Sequence, residues 1–359
     1  MQYRSQYCLG KKESESIRIL KICFTFMVLC CHADKVGVLY NREMAGSTLN
    51  MIANGTQYII AQVITRCAVP MFFLFSSILL YKKEFKWKNN IKKKIRTLVV
   101  PYMILNTFWI MFYALVQQIS FLRPFFSNEN MIVADWGILE WADAFLGLDD
   151  FPMLYPLWFL RDLFLLNLFA LVIKYVIDRF PKISAVLLLI LWMGKLFPET
   201  QLFLSGGFIY WCLGYYMVKF DWHLSDIDKV KLRHLAVGYA LAICLNLFDV
   251  NAYYHNVVFN FTVIIGSLFW VKLILCLKNG SFKRHLVKLS EYSFFIYLFH
   301  EMSLTIVLAV LGKFVPGNAV GGLVSFILAI VIVFCGCTLL AIILQKFTPK
   351  VYKVISGSR

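Results

Sequence analysis

The chain has 359 residues, of which 60% are hydrophobic, 17% are aromatic and only 16% are charged, so it is far too apolar for a soluble protein of this size. The net charge of +16 comes from lysines and arginines in short segments between apolar runs. That distribution is typical of cytoplasmic loops and argues against a nucleic-acid partner.

The apolar runs are continuous and mostly near the roughly 20 residues that cross a bilayer as a helix. A β-barrel is excluded, because its strands would alternate over short stretches. We predict an all-α polytopic membrane protein with about ten transmembrane helices. In chain order these span about Ile17–Ala33, Gln57–Tyr81, Thr97–Gln118, Leu157–Ile177, Ile183–Phe197, Leu202–Val218, Leu235–Phe248, Val257–Leu277, Ser293–Leu311 and Gly321–Phe347.

The basic segment that follows the second predicted helix sets the topology. By the positive-inside rule Lys82–Arg96 is cytoplasmic, which places both termini in the cytoplasm. The predicted organisation is a cytoplasmic segment 1–16, a membrane domain 17–347 and a cytoplasmic tail 348–359. Loop 119–156, rich in acidic and aromatic residues, is predicted to be external and is placed to cover an external site.

The first helix carries a lysine near its start and a histidine at its end. Lys21 and His32 are eleven positions apart, which returns to nearly the same helix face about 16 Å further along the axis. Two ionisable groups on one wall predict a lined cavity, and histidine is suited to proton transfer near neutral pH. The alternatives are a histidine at the membrane interface and a lysine that reaches the headgroups.

Two further positions place ionisable groups inside predicted spans. Arg66 lies mid-span, near Pro70, and needs an acidic partner, backbone carbonyls or an anionic ligand. His300 and Glu301 are adjacent in the ninth predicted helix. We favour site roles for Arg66 and His300 over a structural ion pair and a satisfied core histidine, respectively.

A dense group of basic residues precedes the third predicted helix: Lys92, Lys93, Lys94 and Arg96. Basic side chains at a helix start suit a phosphate-rich ligand. Ordinary topology-setting charge and attraction to anionic lipid are the alternatives.

Taken together, these motifs resemble the acyltransferase 3 family of integral-membrane acyltransferases. Lys21 and His32 match its basic-x10-His signature, and Arg66–Leu80 is similar to its Arg…Pro-x-Phe-Phe…Ser-Gly segment, with Ser77 where glycine is usual. Lys93–Arg96, ahead of Pro101, looks like its basic pair. Leu157–Leu160 and Tyr292–His300 are similar to later landmarks.

The resemblance implies an O-acetyltransferase of the bacterial cytoplasmic membrane. It would move an acyl group, usually from acetyl-CoA, to a hydroxyl of an extracytoplasmic polysaccharide or lipid-linked glycan precursor. Lys92, Lys93, Lys94 and Arg96 would hold the nucleotide phosphates, with Lys21 and Arg66 deeper in the cavity. His32 would be the general base or a transient acyl acceptor, Arg66 would stabilise the oxyanion, and His300 would shuttle a proton or orient substrate.

This scheme requires no metal, and the sequence shows no convincing metal-ligand cluster. The expected partners are acyl-CoA, a carbohydrate acceptor and membrane lipids. The rival hypothesis is a transporter or flippase in which Arg66, His32 and His300 bind an anion or relay protons. The sequence does not specify the acceptor, the acyl group or the oligomeric state.

Overall fold

The computed structural model describes residues 7–35, 48–123, 132–149, 151–194, 196, 205–247, 252–316 and 318–357. Within these residues the regular secondary structure is entirely helical, which confirms the all-α prediction. The α-helices are α1 (Lys11–His32), α2 (Thr48–Tyr58), α3 (Ala68–Tyr81), α4 (Trp87–Lys94), α5 (Val100–Val116), α6 (Ile138–Leu146), α7 (Trp158–Leu168), α8 (Ala170–Arg179), α9 (Pro181–Met193), α10 (Ser205–Lys219), α11 (Leu232–Leu245), α12 (Ala252–Leu275), α13 (Ser281–Leu289), α14 (Ser293–Phe314), α15 (Ala319–Phe347) and α16 (Pro349–Ile355).

Five helical segments in the described ranges are long and apolar enough to cross a membrane. They are Ile52–Tyr81, Trp87–Val116, Tyr254–Leu275, Ser281–Phe314 and Val320–Phe347. A sixth results if α7 and α8, which meet at a 57° bend, form one span. Because α9 has 13 residues and α11 has 14, each is only about 20 Å long. The count of ten and the cytoplasmic placement of the termini therefore stay predictions.

The first helix begins at Lys11, within the segment predicted to precede the membrane domain. Its polar start is held by the loop between α10 and α11. The Glu13 carboxylate accepts hydrogen bonds from the Ser225 amide and hydroxyl, both at 3.0 Å. It also lies 3.2 Å from Nδ1 of His223. These contacts fix the start of α1, so the position of Lys21 is set by packing on both sides of it.

The second predicted helix is interrupted where Arg66 lies. A π-helical turn, Ile59–Val63, is followed by a 3₁₀ turn, Ile64–Cys67, before α3 begins. Pro70, in the first turn of α3, lacks the amide N–H that would continue the hydrogen-bond ladder. Tyr239 donates a hydrogen bond to the Ile64 carbonyl at 3.1 Å. The irregular turn changes the direction in which Arg66 points relative to a continuous helix.

The basic segment Lys82–Arg96 was predicted to be a loop, and this is wrong for most of its length. Residues Trp87–Lys94 form α4, which continues through a π-helical turn, Ile95–Val99, into α5. Long unbranched lysine side chains lose little rotamer freedom in a helix, which favours this conformation. The Trp87 indole donates to the Leu168 carbonyl at 3.0 Å, so α4 is joined to α7.

α3 and α10 pack closely against each other in the core, and this contact depends on small residues. A Cβ added at Gly214 of α10 would lie 2.6 Å from the Leu74 carbonyl and 2.7 Å from the Ser77 Cβ. Ser77 is fully buried in this contact. Glycine on one helix therefore accommodates serine on the other, as is common where membrane helices approach closely.

The described part of loop 119–156 folds around α6 and is fixed to the helix bundle. The Asn106 amide of α5 donates to the Ala144 carbonyl at 2.7 Å and accepts from the Leu154 amide at 2.9 Å. Arg161 donates to the Leu146 carbonyl at 2.8 Å. Gly147, with φ of 59°, ends α6 in a conformation that favours glycine. These contacts hold the following segment against the end of α1.

Candidate active site

His32 lies at the last residue of α1 and contacts a buried carboxylate. Its Nδ1 is 3.2 Å from Oε2 of Glu301, and the two side chains are 15% and 5% exposed. When Nδ1 carries the proton, that N–H faces the Glu301 carboxylate and Nε2 keeps its lone pair. This arrangement resembles the carboxylate–imidazole pairs that orient catalytic histidines. The geometry therefore suits His32 for proton transfer or nucleophilic attack through Nε2.

α14 brings His300 to the same place. Its ring centroid is 5.0 Å from that of His32, and its side chain is almost completely buried. Nδ1 of His300 donates to the Tyr297 carbonyl at 2.6 Å, which fixes the ring on its own helix. The ring of Tyr155, from the loop fixed by Asn106, packs edge-on against His32 at 5.5 Å. The two histidines, predicted as separate candidates, thus belong to one site.

These three residues also form a set that could hold a metal ion. One ligand atom from each of His32, His300 and Glu301 lies within 4.8 Å of the others. Two imidazoles and a carboxylate are a known zinc ligand set. The sequence-based expectation that no metal is needed is therefore a prediction that metal removal can test.

A second feature, beside the middle of α1, is a cavity of about 610 Å³ lined by several lysines. We call it the basic cavity. It lies among α1, α3, α4, α7 and α14, and its lysines are Lys21, Lys83, Lys86, Lys93 and Lys94. Sequence reasoning named Lys21, Lys93 and Lys94 as site residues, whereas it assigned Lys83 and Lys86 to topology. The cavity is rich in cationic side chains and suits an anionic ligand.

The remaining predicted phosphate-binding residues lie elsewhere. Lys92 and Arg96 are exposed and are not among the described residues that line the basic cavity. The helical period explains the difference, because residues four apart share a helix face. Lys93 and Thr97 point into the cavity, so Lys92 and Arg96, one position earlier, point about 100° away.

Arg66 also lies outside the described lining of the basic cavity. It donates a hydrogen bond to the Gln62 side-chain carbonyl. Gln62 in turn donates to Oδ2 of Asp34 at 2.7 Å. Asp34 is two residues beyond His32, so this polar chain joins the interrupted second helix to the end of α1. The sequence predicts that Arg66 shares a cavity with Lys21, whereas the structure places Arg66 beside Gln62 and outside the described lining of that cavity. The π and 3₁₀ turns before α3 account for the difference, because they change the direction in which Arg66 points.

Comparison with known proteins identifies a family whose model matches most of the chain. The model of the family described as Acyltransferase domain matches residues 14–345. Part of the chain is similar to the succinoglycan biosynthesis protein ExoH of Rhizobium meliloti (strain 1021), with 27% identity over 128 residues. That match covers 34% of this chain and 33% of ExoH, so it spans about a third of the length of the relative. No solved structure matches the chain significantly.

Proposed function

Because the chain belongs to the Acyltransferase domain family, we propose that it is a membrane enzyme that moves an acetyl group from acetyl-CoA to a carbohydrate hydroxyl. The donor binds from the cytoplasm, and the acceptor is a surface polysaccharide or its lipid-linked precursor. The observation that carries this proposal is that α1 lines a lysine-rich cavity at its middle and carries a histidine–glutamate pair at its last residue.

The basic cavity is the site we propose for acyl-CoA. Coenzyme A carries several phosphate charges, and Lys93 and Lys94 at the cavity mouth supply cations that can contact them. Lys21, on α1, extends the positive charge toward the middle of the bundle. Lysines bind phosphate as point charges without the bidentate geometry of arginine. This site therefore depends on summed charge, and its affinity should fall as salt rises.

We propose His32 as the general base. Its Nε2 takes the proton of the acceptor hydroxyl as the oxygen attacks the thioester carbonyl, and Glu301 stabilises the imidazolium that forms. When the carbon–sulfur bond breaks, the thiolate of coenzyme A leaves and takes that proton. The same geometry also allows His32 to accept the acyl group transiently and pass it to the acceptor. Both routes use the same residue, and they differ in whether an acyl-enzyme accumulates.

Two other groups complete the proposal. The guanidinium of Arg66, near the histidine end of α1, is suited to stabilise the oxyanion of the tetrahedral intermediate from the acceptor side. His300, 5.0 Å from His32, would orient substrate or carry a proton. The polysaccharide acceptor is supported by the similarity to ExoH, whose name places it in succinoglycan biosynthesis.

The test is the ester-linked acyl content of purified surface glycan, measured by proton NMR. Cells that lack this protein would be complemented with the wild type or with His32→Ala at equal membrane levels. We expect the wild type to restore the esters and the variant to leave them at the background level. Equal restoration by His32→Ala would overturn the histidine mechanism.

A glycan unchanged by either protein would count against a surface polysaccharide as the acceptor. Coenzyme A binding to the detergent-solubilised wild type would then separate an acyltransferase from a transporter. The transporter hypothesis predicts no dependence on acyl-CoA.

A further inference from the structure

The basic cavity ends in aromatic side chains on the side that faces His32. Its described lining includes Phe72 of α3, Phe159 of α7 and Tyr297 of α14. Ring centroids are 5.9 Å apart for Phe72 and Phe159, 6.5 Å for Phe72 and Tyr297, and 5.5 Å for Phe159 and Tyr297. Each ring thus contacts the other two, and we call this group the aromatic closure.

The aromatic closure lies between the lysines and the histidines. On α1 the cavity reaches Thr25, which is seven residues, or about 10 Å, short of His32. On α14 the closure residue Tyr297 precedes His300 by one turn, and its carbonyl accepts the hydrogen bond from that histidine. An acyl group that travels from the basic cavity to His32 must therefore pass these three rings.

Two of the rings are held in place and one has more freedom. The Tyr297 hydroxyl donates to the Pro156 carbonyl, and the side chains of Phe159 and Tyr297 are buried. Phe72 is only half-buried, and it stands near the interrupted part of the second helix. Movement of Phe72 is thus the least costly way to open a passage at this point.

We infer that the aromatic closure selects the acyl group and admits only short, uncharged ones, with Phe72 as the residue that limits length. This inference rests on the proposed function and goes beyond it by assigning the residues that limit the length and charge of the acyl group. A longer chain must displace packed rings, and a terminal carboxylate must give up its hydration among them. The three residues of the aromatic closure carry no positive charge that could pair with such a carboxylate.

The test measures acyl selectivity. Full-length protein in lipid nanodiscs would be given acetyl-, propionyl-, butyryl- or succinyl-CoA, with surface glycan from the deletion strain as acceptor, and ester formation would be followed by mass spectrometry. For the wild type we expect acetyl to be fastest and succinyl slowest. In Phe72→Ala the ratio of the butyryl transfer rate to the acetyl transfer rate should rise about tenfold or more. This is the size of the preference that an apolar pocket shows between substrates that differ by one or two methylene groups.

The matched control is Phe26→Ala. Phe26 lies on α1, is 40% exposed, is not among the described residues that line the cavity, and contacts Phe334 edge-on at 5.3 Å. It should leave the ratio unchanged. Phe72→Leu, which keeps an apolar side chain, provides a second variant if Phe72→Ala is not monodisperse, and a smaller shift in the same direction is expected.

An unchanged ratio in both Phe72 variants, or a wild type that uses butyryl- or succinyl-CoA as well as acetyl-CoA, would overturn the inference while leaving the acyltransferase proposal intact. A wild type that transfers no acyl group from any of the four donors would instead count against the proposed function.

Discussion

The basic cavity, beside the middle of α1, and the histidine site, at its last residue, differ in how their charged residues are held. The lysines of the basic cavity lie on an open surface, and Lys93 is exposed. At the histidine site, Glu301 is buried, the His32 side chain is only 15% exposed, and the two side chains lie 3.2 Å apart. Exposed cations bind a phosphate-rich ligand by charge that adjusts to it, whereas a buried pair supports chemistry that needs a fixed geometry. The difference predicts separate effects on binding and on transfer.

The largest effect should come from the histidine end. His32→Ala removes the group that accepts the hydroxyl proton, so we expect the transfer rate to fall by about 10³-fold. The measurement is ester formation by purified protein in nanodiscs under saturating acetyl-CoA. A variant that keeps a tenth of the wild-type rate would show that another residue is the base.

Glu301→Gln should have the next largest effect. It preserves the shape of the side chain but removes the charge that stabilises the imidazolium of His32, so kcat should fall by about 10²-fold. The matched control is Glu291→Gln, which breaks an exposed ion pair with Arg18 (3.0 Å) on the same stretch of chain. Similar losses in both variants would indicate a general effect on folding, which thermal unfolding would reveal.

In the basic cavity we expect an effect of intermediate size on the binding of coenzyme A. The double variant Lys93→Ala/Lys94→Ala should raise the Kd of coenzyme A about tenfold, with a smaller effect at high salt. Isothermal titration calorimetry would measure it. Lys92→Ala/Arg96→Ala removes the same two charges from neighbouring positions outside the described lining of the cavity, and should change the Kd by about twofold or less. Equal effects of the two would point to nonspecific charge.

A small effect is expected where the start of α1 is anchored. Burial lowers the pKa of His223, but the hydrogen bond and charge of Glu13 outweigh it, so the net pKa is raised. The stabilisation is therefore complete below the ordinary histidine pKa of about 6.5 and is lost as the pH rises through the raised value. His223→Gln should lower Tm by about 1–3 °C at pH 5.5, and by less at pH 8.5.

Differential scanning calorimetry of the solubilised protein would show the pH dependence at His223. A loss of stability that is greater at pH 8.5 than at pH 5.5 would contradict the assignment. Because neither Glu13 nor His223 is among the described residues that line the basic cavity, coenzyme A affinity at pH 7 should be unchanged.

Chelation should have no effect. EDTA and 1,10-phenanthroline would remove a zinc ion from the His32, His300 and Glu301 set, and we expect the transfer rate to stay within error of the untreated enzyme. Loss of activity that added zinc restores would make these residues a metal centre and would reassign the role of His32.

The spacing of Lys21 and His32 predicts how far apart they lie along α1, because a regular helix converts spacing into distance. It does not predict that the described lining of the basic cavity includes Lys21 but not His32. The sequence alone could not predict the contact between His32 and Glu301, because the two residues lie far apart in the chain and meet through the packing of α1 against α14. His300 was nevertheless named as a candidate, and Glu301 was noted beside it, because an ionisable group inside an apolar span is costly.

Other features depended on local structure that composition does not reveal. The basic segment lies between two predicted helices, so the sequence did not indicate which of its side chains share a face. Because Trp87–Lys94 is helical, Lys93 points into the basic cavity and Lys92 points away from it. The π and 3₁₀ turns moved Arg66 toward Asp34. The sequence predicts about ten spans because short helices such as α9 and α11 are as apolar as the longer ones, so composition alone does not distinguish them from full spans.

The central claim is that the basic cavity binds coenzyme A and that His32 carries out the transfer at a separate site. The most direct test is the Kd of coenzyme A for wild type, His32→Ala and Lys93→Ala/Lys94→Ala in the same nanodiscs. The arrangement predicts that His32→Ala binds coenzyme A within about twofold of wild type while transferring almost no acyl group, and that the lysine variant binds about tenfold more weakly. A His32→Ala protein that loses coenzyme A affinity as strongly as the lysine variant would contradict it, because the histidine would then belong to the coenzyme A site itself.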